Sequence, residues 1–392
     1  MKVLLACMPG GGSATYSEVL ARGLAAQGIQ ATILTVGTDD RLRRDSVGGL
    51  PRLSGRLGNA HWYLRRLLPL TSPVSGVVRG YELAILFDRL ARVATNDGAI
   101  LDVFEGPNFT RGQHKRWPIC VSLHSSAFTW KENLGAGLTL QDKLDKRAER
   151  SQLQRASAIH SASARVAAQL QTSLRVSLPR LDVFPYLVDQ RLFSIPLRAD
   201  KASSEIRVLH VGRPDAKKGA QLLCDAIPGV LAAAPLCVFE FIGWSSADPL
   251  ARSFVSRLSP SEASRLRLRG MVTYDELLMR YDWADICVIP SLWDCSPFAV
   301  YEAMARGCAV VASDVGGIPE LVADGDGGLL VPPGDSKAVA AAIAALATDR
   351  SFLRDQQRRS RERALELFDP SIIIKRQLAY FRDAWERHTG RR

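Results

Sequence analysis

The amino-acid sequence predicts an α/β protein with two doubly wound, Rossmann-like domains, each a parallel sheet covered by helices. With 392 residues the chain is too long for one ordinary hydrophobic core and suits two domains of about 150 to 200 residues. Its 47% hydrophobic and 23% charged residues supply both core and soluble surface. Short runs of Val, Ile and Leu alternate with helical patterns along the chain, which is typical of parallel sheets with crossover helices.

The predicted strands fall into two series separated by an irregular segment. Residues 182–205 contain Pro185, Pro196 and a polar stretch at 201–205, so the interdomain connection is placed there. After Leu346 the chain becomes helical and charged, with a candidate apolar stripe at 372–388. The predicted strands are Val3–Ala6, Ala31–Val36, Ile100–Phe104, Ile119–Leu123 and Ile159–Ala162, then Ile206–Val211, Val238–Ile242, Arg267–Gly270, Ile286–Pro290, Ala309–Ser313 and Gly328–Val331.

The composition predicts a cytoplasmic protein without a zinc site. The sequence has no run of eighteen uncharged apolar residues, and its first residues lack the basic region of a secretion signal. The seven cysteines include no CxxC pair, and most lie in apolar runs, where a thiol packs as a small hydrophobic group.

The net charge of +11 favours anionic partners such as nucleotide phosphates, a membrane surface or a nucleic acid. No aromatic RNA-binding motif occurs, so nucleic acid is not expected as a partner. Between Arg41 and Gly80 there are eight arginines and one acid, Asp45, and residues 62–68 mix aromatic, aliphatic and basic side chains. This segment suits a helix at an anionic lipid surface and a solvated basic loop equally well.

A glycine-rich loop follows the first predicted strand. Gly11 and Gly12 precede a helix predicted from about Thr15, so backbone amides there could approach a phosphate or a sugar hydroxyl. The loop also partly matches the dinucleotide fingerprint, with Asp39 and Asp40 as candidate ribose ligands, but Thr15 occupies the third glycine position. By itself the loop leaves a nicotinamide enzyme open.

The second half contains a basic loop at the end of a predicted strand. Residues 211–219 place Arg213 and Lys218 at the carboxyl edge of the sheet, where open α/β sheets bind ligands. Two fixed cations there would stabilise a departing diphosphate. A solvated turn with a lysine at the helix start is the competing interpretation of this loop alone.

A pair of acids follows a later strand. In residues 290–307, Asp294 lies in the loop after the strand and Glu302 in the next helix. One carboxylate could accept hydrogen bonds from sugar hydroxyls and the other from a ribose. Another strand and glycine turn, 310–320, reaches the same edge of the sheet.

In these motifs, in their order and in their spacing, the sequence resembles the family 4 retaining glycosyltransferases. The similarity is clearest over 206–335 and extends more weakly through the glycine loop, the strand ending at His124, and residues 183–185. The resemblance implies a GT-B fold, in which two Rossmann-like domains face each other across a cleft. It implies an acceptor domain at 1–190, a donor domain at 191–365 and a C-terminal helix, 366–392, that returns to the first domain.

The resemblance implies a metal-independent enzyme that moves a hexose-type sugar from a UDP- or GDP-linked donor to an acceptor that the sequence does not reveal. Arg213 and Lys218 would bind the diphosphate, Glu302 the ribose and Asp294 the transferred sugar. His124 would lie near that sugar, although a histidine at a strand end is by itself more often a structural group. The implied donor contacts are Gly11, Gly12, Gly212, Arg213, Lys218, Met271, Asp294, Cys295, Ser296, Pro297, Phe298 and Glu302.

The chain departs from the family pattern at two places. Asp294 stands where the family usually has Glu and is followed by Cys-Ser-Pro instead of Gly-Phe-Gly, which bears on the choice of sugar. Tyr186 and Leu187 stand where the linker usually reads Asn-Gly, so the geometry of that turn is open. A same-fold sugar-nucleotide epimerase and a non-catalytic nucleotide-sugar-binding protein remain alternatives.

Overall fold

The computed structural model describes residues 1–7, 11–36, 43–47, 50–55, 90–92, 98–104, 116–124, 126, 128–194 and 204–390. They form two compact units: Met1–Leu187 with Pro370–Arg392 (unit 1), and Val188–Asp369 (unit 2). Several predictions concern residues outside these ranges: the loop at 8–10, Asp39 and Asp40, the segment at 62–68, and Pro196 in the predicted connection.

Unit 1 is built on a mainly parallel sheet. In its described part the strand order is β3-β4-β2-β1-β5-β6-β7-β8, and only β3 and β4 pair antiparallel. The order reverses between β1 and β5, because the chain builds outward from β1 through β2 and then starts again at β5. The strands are β1 (Lys2–Cys7), β2 (Gln30–Val36), β3 (Arg43–Val47), β4 (Leu50–Gly55), β5 (Ile100–Phe104), β6 (Ile119–Leu123), β7 (Ala158–Ser161) and β8 (Leu181–Val183).

The helices of unit 1 cover a core centred on β1, β5 and β6. These central strands are mostly apolar and almost entirely buried, as expected where helices cover both faces of a parallel sheet, and their buried polar residues Asp102 and Ser122 lie within hydrogen-bond distance of each other. The core includes Trp117 and Phe128 beside aliphatic residues of the strands. The helices are α1 (Gly11–Ala26), α2 (Thr129–Asn133), α3 (Leu140–Arg155) and α4 (Ala164–Leu174).

Unit 2 is a second doubly wound domain. Its described strands have the order β11-β10-β9-β12-β13-β15-β14 and pair in parallel throughout. The order reverses between β9 and β12. The strands are β9 (Ile206–Val211), β10 (Cys237–Ile242), β11 (Leu266–Arg269), β12 (Ile286–Ile289), β13 (Ala309–Ser313), β14 (Ala323–Asp324) and β15 (Gly327–Val331).

The helices of unit 2 enclose an aliphatic and aromatic core that includes Phe239, Phe241 and Trp244. Several of these helices begin at side-chain caps, as at Thr273, whose hydroxyl accepts from the backbone NH of Glu276. The helices are α5 (Ala220–Ala233), α6 (Pro249–Val255), α7 (Pro260–Ala263), α8 (Tyr274–Trp283), α9 (Phe298–Ala305), α10 (Ile318–Leu321), α11 (Ser336–Thr348) and α12 (Arg350–Phe368).

The last helix, α13 (Pro370–Thr389), packs in unit 1 although it follows unit 2 in the chain. Its buried face includes Ile373, Tyr380 and Phe381, three members of the predicted apolar stripe. Gly98 lets the helix approach, because a Cβ there would come within 2.5 Å of the Trp385 ring. Among the described residues, none of the helices combines the length and apolar character needed to cross a bilayer.

Each predicted strand is present within one residue of its expected bounds, but the structure adds β3, β4, β8 and β14. These four strands are short or polar and lie at or beside sheet edges, where one face needs no apolar side chains. The described part of the basic segment, β3 and β4, therefore forms a strand pair. The first helix begins at Gly11 and not near Thr15, so the helix itself includes Gly11 and Gly12.

Candidate functional site

The loops that follow β9 and β12 meet at the point where the sheet of unit 2 reverses direction. The Leu292 NH donates to the Lys217 carbonyl at 2.9 Å. Gly219 has a φ of +65°, and a Cβ there would lie 1.7 Å from the Pro290 carbonyl oxygen. Only glycine permits this approach, which fixes one loop against the other. Such a reversal is where open α/β sheets bind ligands.

Lys218 and Asp294 form an ion pair across these two loops. The Lys218 Nζ lies 2.6 Å from the Asp294 Oδ2, and both side chains are partly buried, with 31% and 13% exposed. Asp215 caps the short 3-10 turn Ala216–Lys218 by accepting from the Lys218 backbone NH at 2.9 Å. The structure thus brings together one cation and one acid that the sequence singled out.

The loop after β13 holds Asp294 from the other side. Gly316 has a φ of +52°, and a Cβ there would lie 1.6 Å from the Asp294 carbonyl oxygen. The Gly317 NH donates to the Cys295 carbonyl at 2.8 Å. The backbone that carries Asp294 is therefore enclosed by neighbouring loops.

Glu302 is buried in α9, the helix that follows the Asp294 loop. Tyr281 donates its hydroxyl to the Glu302 Oε2 at 2.8 Å. Burial raises the pKa of Glu302 from 4.5 to about 7; the Tyr281 hydrogen bond opposes this rise and the charge of Asp189 adds to it. Sequence reasoning missed Tyr281 and Asp189 because they come from α8 and from the start of unit 2, and neither lies in a recognisable motif.

Arg213 stands apart from these contacts. Its side chain is 78% exposed and lies 3.4 Å from Asp215 in the same loop. A Cβ on Gly243 would lie 2.7 Å from the Gly212 carbonyl oxygen. The backbone of the Arg213 loop therefore also packs directly against a neighbouring loop, the one that contains Gly243. Arg213 and Lys218 follow the same strand, but in this structure their side chains have different acidic partners.

The remaining predicted donor contacts of unit 2 lie around α9, with one exception. Cys295 and Ser296 are buried, and the Ser296 hydroxyl lies 2.6 Å from the Tyr301 hydroxyl. Pro297 is the N-cap of α9 and Phe298 its first residue. Met271 is 85% exposed and follows β11, two strands away from β9.

His124 follows β6 in unit 1 and is enclosed by aromatic rings. Its ring is stacked on Tyr186, with centroids 4.5 Å apart and planes 5° apart, and it meets Tyr16 and Phe104 edge-on. Burial lowers the pKa of His124 well below its ordinary value, and nearby His160 acts in the same direction. The imidazole is therefore neutral at pH 7.

Tyr186 holds the linker turn against the end of β6. It is buried, and its hydroxyl donates to the Leu123 carbonyl at 2.7 Å. At this position, where the sequence left the geometry of the turn open, an aromatic side chain supports the strand end that carries His124. The glycines at the start of α1 lie beside the reversal point of this sheet, whose loops at 8–10 and 105–115 fall outside the described residues.

Two doubly wound units, with polar and charged groups gathered where the second sheet reverses, define the GT-B fold of glycosyltransferases. Residues 11–186 match the family model described as glycosyl transferase 4-like domain, and residues 205–349 match the model described as glycosyl transferases group 1. These two matches, in order along the chain, group it with the GT-B glycosyltransferases. Within the described residues, no three His, Cys, Asp or Glu side chains lie close enough together to hold a metal ion.

The similarity in sequence to individual known proteins is low. The chain is 23% identical over 240 residues to alpha-D-kanosaminyltransferase of Streptomyces kanamyceticus, an alignment of 59% of this chain and 62% of that protein. It thus spans less than two thirds of the curated relatives it matches. Sucrose-phosphate synthase from Thermosynechococcus elongatus has the same fold at 21% identity and a TM-score of 0.76, over 98% of this chain and 99% of that one. Anabaena HepE, crystallised with UDP-glucose, aligns at 18% identity and a TM-score of 0.66, over 97% and 98% of the chains.

Proposed function

We propose that this protein is a retaining, metal-independent glycosyltransferase that moves a hexose-type sugar from a UDP- or GDP-linked donor to an acceptor hydroxyl. Unit 2 would bind the donor and unit 1 the acceptor. The observation that carries the proposal is the Lys218–Asp294 ion pair, 2.6 Å long, at the reversal point of the sheet in unit 2. An ammonium and a carboxylate side by side could serve the phosphates and the hydroxyls of a sugar diphosphate, which supports the proposal.

The predicted cations and acids have separate roles in this proposal. Lys218, with Arg213 and the amino end of α9, would stabilise the diphosphate. Asp294 would accept hydrogen bonds from the transferred sugar, and buried Glu302 from the ribose. HepE, which has the same fold, was crystallised with UDP-glucose, and this supports a UDP-linked donor for the protein.

In the chemical step, the bond between the anomeric carbon and the diphosphate oxygen breaks, and its electron pair leaves with the phosphate. The acceptor oxygen forms a new bond on the same face of the sugar, and its proton passes to a phosphate oxygen. The protein supplies charge stabilisation and orientation and no nucleophile. Neutral His124 would contribute a hydrogen bond near the sugar from unit 1.

An anionic or lipid-linked acceptor belongs to the same proposal. The basic segment at 41–80 lies in the unit assigned to the acceptor, and its excess of arginine would hold the protein at an anionic membrane surface on the cytoplasmic side.

Binding of a panel of sugar nucleotides, followed by thermal shift, tests the proposal. One donor should raise the melting temperature, because a ligand at a hundred times its Kd stabilises by about 2.7 kcal/mol. Lys218→Ala should remove most of this shift, while Lys337→Ala, an exposed lysine of α11, should keep it. A panel without any shift, or full transfer after Arg213→Ala/Lys218→Ala, would contradict the proposal.

The alternatives give different products in the same assay. An epimerase converts the donor alone into a new sugar nucleotide, and a non-catalytic protein binds the donor without turnover whatever acceptor is supplied. A nicotinamide enzyme would bind NAD at micromolar concentration. A transferase instead releases the nucleoside diphosphate together with a glycosylated acceptor or, with water, the free sugar.

A further inference from the structure

The pair of Lys218 and Asp294 is built into the backbone of unit 2. Gly219 brings the Lys218 loop against Pro290, and Gly316 encloses the backbone at Asp294, each at a distance that no Cβ would tolerate. The loops of Lys218 and Asp294 are in direct backbone contact, with a hydrogen bond from the Leu292 NH to the Lys217 carbonyl. The Asp294 carboxylate therefore faces the Lys218 ammonium before any ligand arrives.

Asp294 also influences a second cation. Lys217 is half-buried, and burial lowers its pKa while the charge of Asp294 acts in the opposite direction. An incoming phosphate therefore meets two lysine ammonium groups whose positive charge is partly neutralised by one carboxylate. A phosphate that binds the Lys218 ammonium must either break its ion pair with Asp294 or share the ammonium with that carboxylate.

This sharing has different consequences for two ligands of the proposed site. A sugar nucleotide brings hydroxyl groups, which donate to the carboxylate that Lys218 leaves. A free nucleoside diphosphate brings no such donors, and above pH 7 its terminal phosphate carries a second negative charge close to Asp294. The carboxylate thus loses its partner and gains a repulsive neighbour.

We propose that the Asp294–Lys218 ion pair makes the site discriminate between the sugar nucleotide and the sugar-free nucleoside diphosphate, weakening the latter and so favouring product release. Asp294 is then a specificity-determining residue in addition to its contact with the sugar. This inference rests on the proposed function, because it assumes that unit 2 binds a nucleotide diphosphate.

Calorimetry with UDP and UDP-glucose, and with GDP and a GDP-linked hexose, tests this discrimination. No acceptor is needed. At pH 8, Asp294→Asn should bind the free diphosphate about tenfold more tightly than the wild type, about 1.4 kcal/mol, and should lose its preference for the sugar nucleotide. In a Lys218→Met background the same change should give a smaller gain, because only the repulsion between Asp294 and the phosphate is then relieved. Asp294→Ser provides a second neutral replacement in case the amide disturbs the fold.

Asp215→Asn is the matched control. It removes the same charge from the neighbouring loop, and asparagine keeps the cap of the 3-10 turn, but it does not touch the Lys218 ammonium. It should change diphosphate affinity much less than Asp294→Asn.

The outcomes separate the two proposals. Equal or weaker diphosphate binding by folded Asp294→Asn and Asp294→Ser would overturn the inference and leave the proposed function standing. So would an equal gain with Asp215→Asn, because the side chain of Asp215 pairs with Arg213 and not with the Lys218 ammonium. A wild-type protein that binds none of these nucleotides would overturn both.

Discussion

Glu302 shows how the fold sets the charge of a single site residue. Its carboxyl is buried in α9, and burial raises its pKa to about 7, so about half of it is neutral at pH 7. The Tyr281 hydroxyl donates to it and favours the ionised form. A ribose that donates two more hydrogen bonds would favour that form further.

Binding of a sugar nucleotide should therefore depend on pH through Glu302. The ionised carboxylate is the form that accepts from ribose, and its population rises from about a tenth at pH 6 to about nine tenths at pH 8 for a pKa of 7. Affinity for UDP-glucose should rise about tenfold over this interval and be nearly independent of pH in Glu302→Gln. Calorimetry at four pH values measures this. Parallel profiles for the two proteins would contradict the assignment.

Tyr186 should stabilise unit 1 mainly through its ring. Tyr186→Phe keeps the stacking on His124 and loses the hydrogen bond to Leu123, so we expect a cost of about 1 kcal/mol. Tyr186→Ala removes the buried ring as well and should cost about 3 to 5 kcal/mol. Urea unfolding measures both, and NMR of the His124 ring should move for Ala and hardly at all for Phe. Equal costs would contradict a role for the stacked ring.

At the scale of elements, glycines decide how closely the loops of unit 2 meet. Gly219 and Gly316 combine left-handed backbone with an approach to a carbonyl oxygen under 2 Å from where a Cβ would be. Gly334 also has a positive φ, +82°, but has nothing within 4 Å of the Cβ position. The three positions therefore separate the cost of backbone conformation from the cost of crowding.

Gly219→Ala should destabilise unit 2 by more than about 3 kcal/mol, because two loops must separate. Gly334→Ala should cost only about 1 kcal/mol, the ordinary penalty of a left-handed residue. Gly219→Ala should also weaken nucleotide binding, since Lys218 precedes it directly. Denaturation midpoints and thermal shift test this. Similar midpoints for the two variants would show that crowding at Gly219 is relieved cheaply.

At the scale of the whole molecule, the chain leaves unit 1 after Leu187 and returns to it at Pro370. The returning helix α13 contributes buried Phe381 and Tyr380 to unit 1. A substitution in the last helix should therefore lower the stability of unit 1, which contains the first half of the chain.

Phe381→Ala should lower the stability of unit 1 by about 3 to 5 kcal/mol and leave unit 2 nearly unchanged. Hydrogen exchange should show faster exchange in the strands of residues 1–187 and not in 188–369. Ile372→Ala, half exposed on the same helix, is the control and should have little effect. Equal loss of protection in both units would contradict the assignment.

The basic segment should draw the whole protein to anionic vesicles. Arg65→Ala/Arg66→Ala should weaken this binding by about 2 kcal/mol at low salt, about 1 kcal/mol for each cation. Arg358→Ala/Arg359→Ala, a pair already engaged with Asp355, Glu362 and Asp326, removes the same charge elsewhere and should change it less. Vesicle flotation measures the effect. Binding unaffected by salt or by the first pair would contradict a membrane role for 41–80.

The sequence by itself determined the fold class, the central strands and the residue types of the candidate site. Buried parallel strands need continuous apolar runs, and such runs are visible without any knowledge of their neighbours. Glycine turns after strands likewise marked the edge where Lys218 and Asp294 lie. Edge strands such as β3 and β8 were missed because partial exposure relaxes that requirement.

Only the tertiary structure decided which of these residues meet. Lys218 and Asp294 are 76 positions apart and Leu123 and Tyr186 are 63 apart, and no local pattern encodes those contacts. The placement of α13 in unit 1, the tyrosine beside Glu302 and the neutral state of His124 have the same origin. Each depends on which surfaces pack together and on how much water they exclude, and that is a property of the folded chain as a whole.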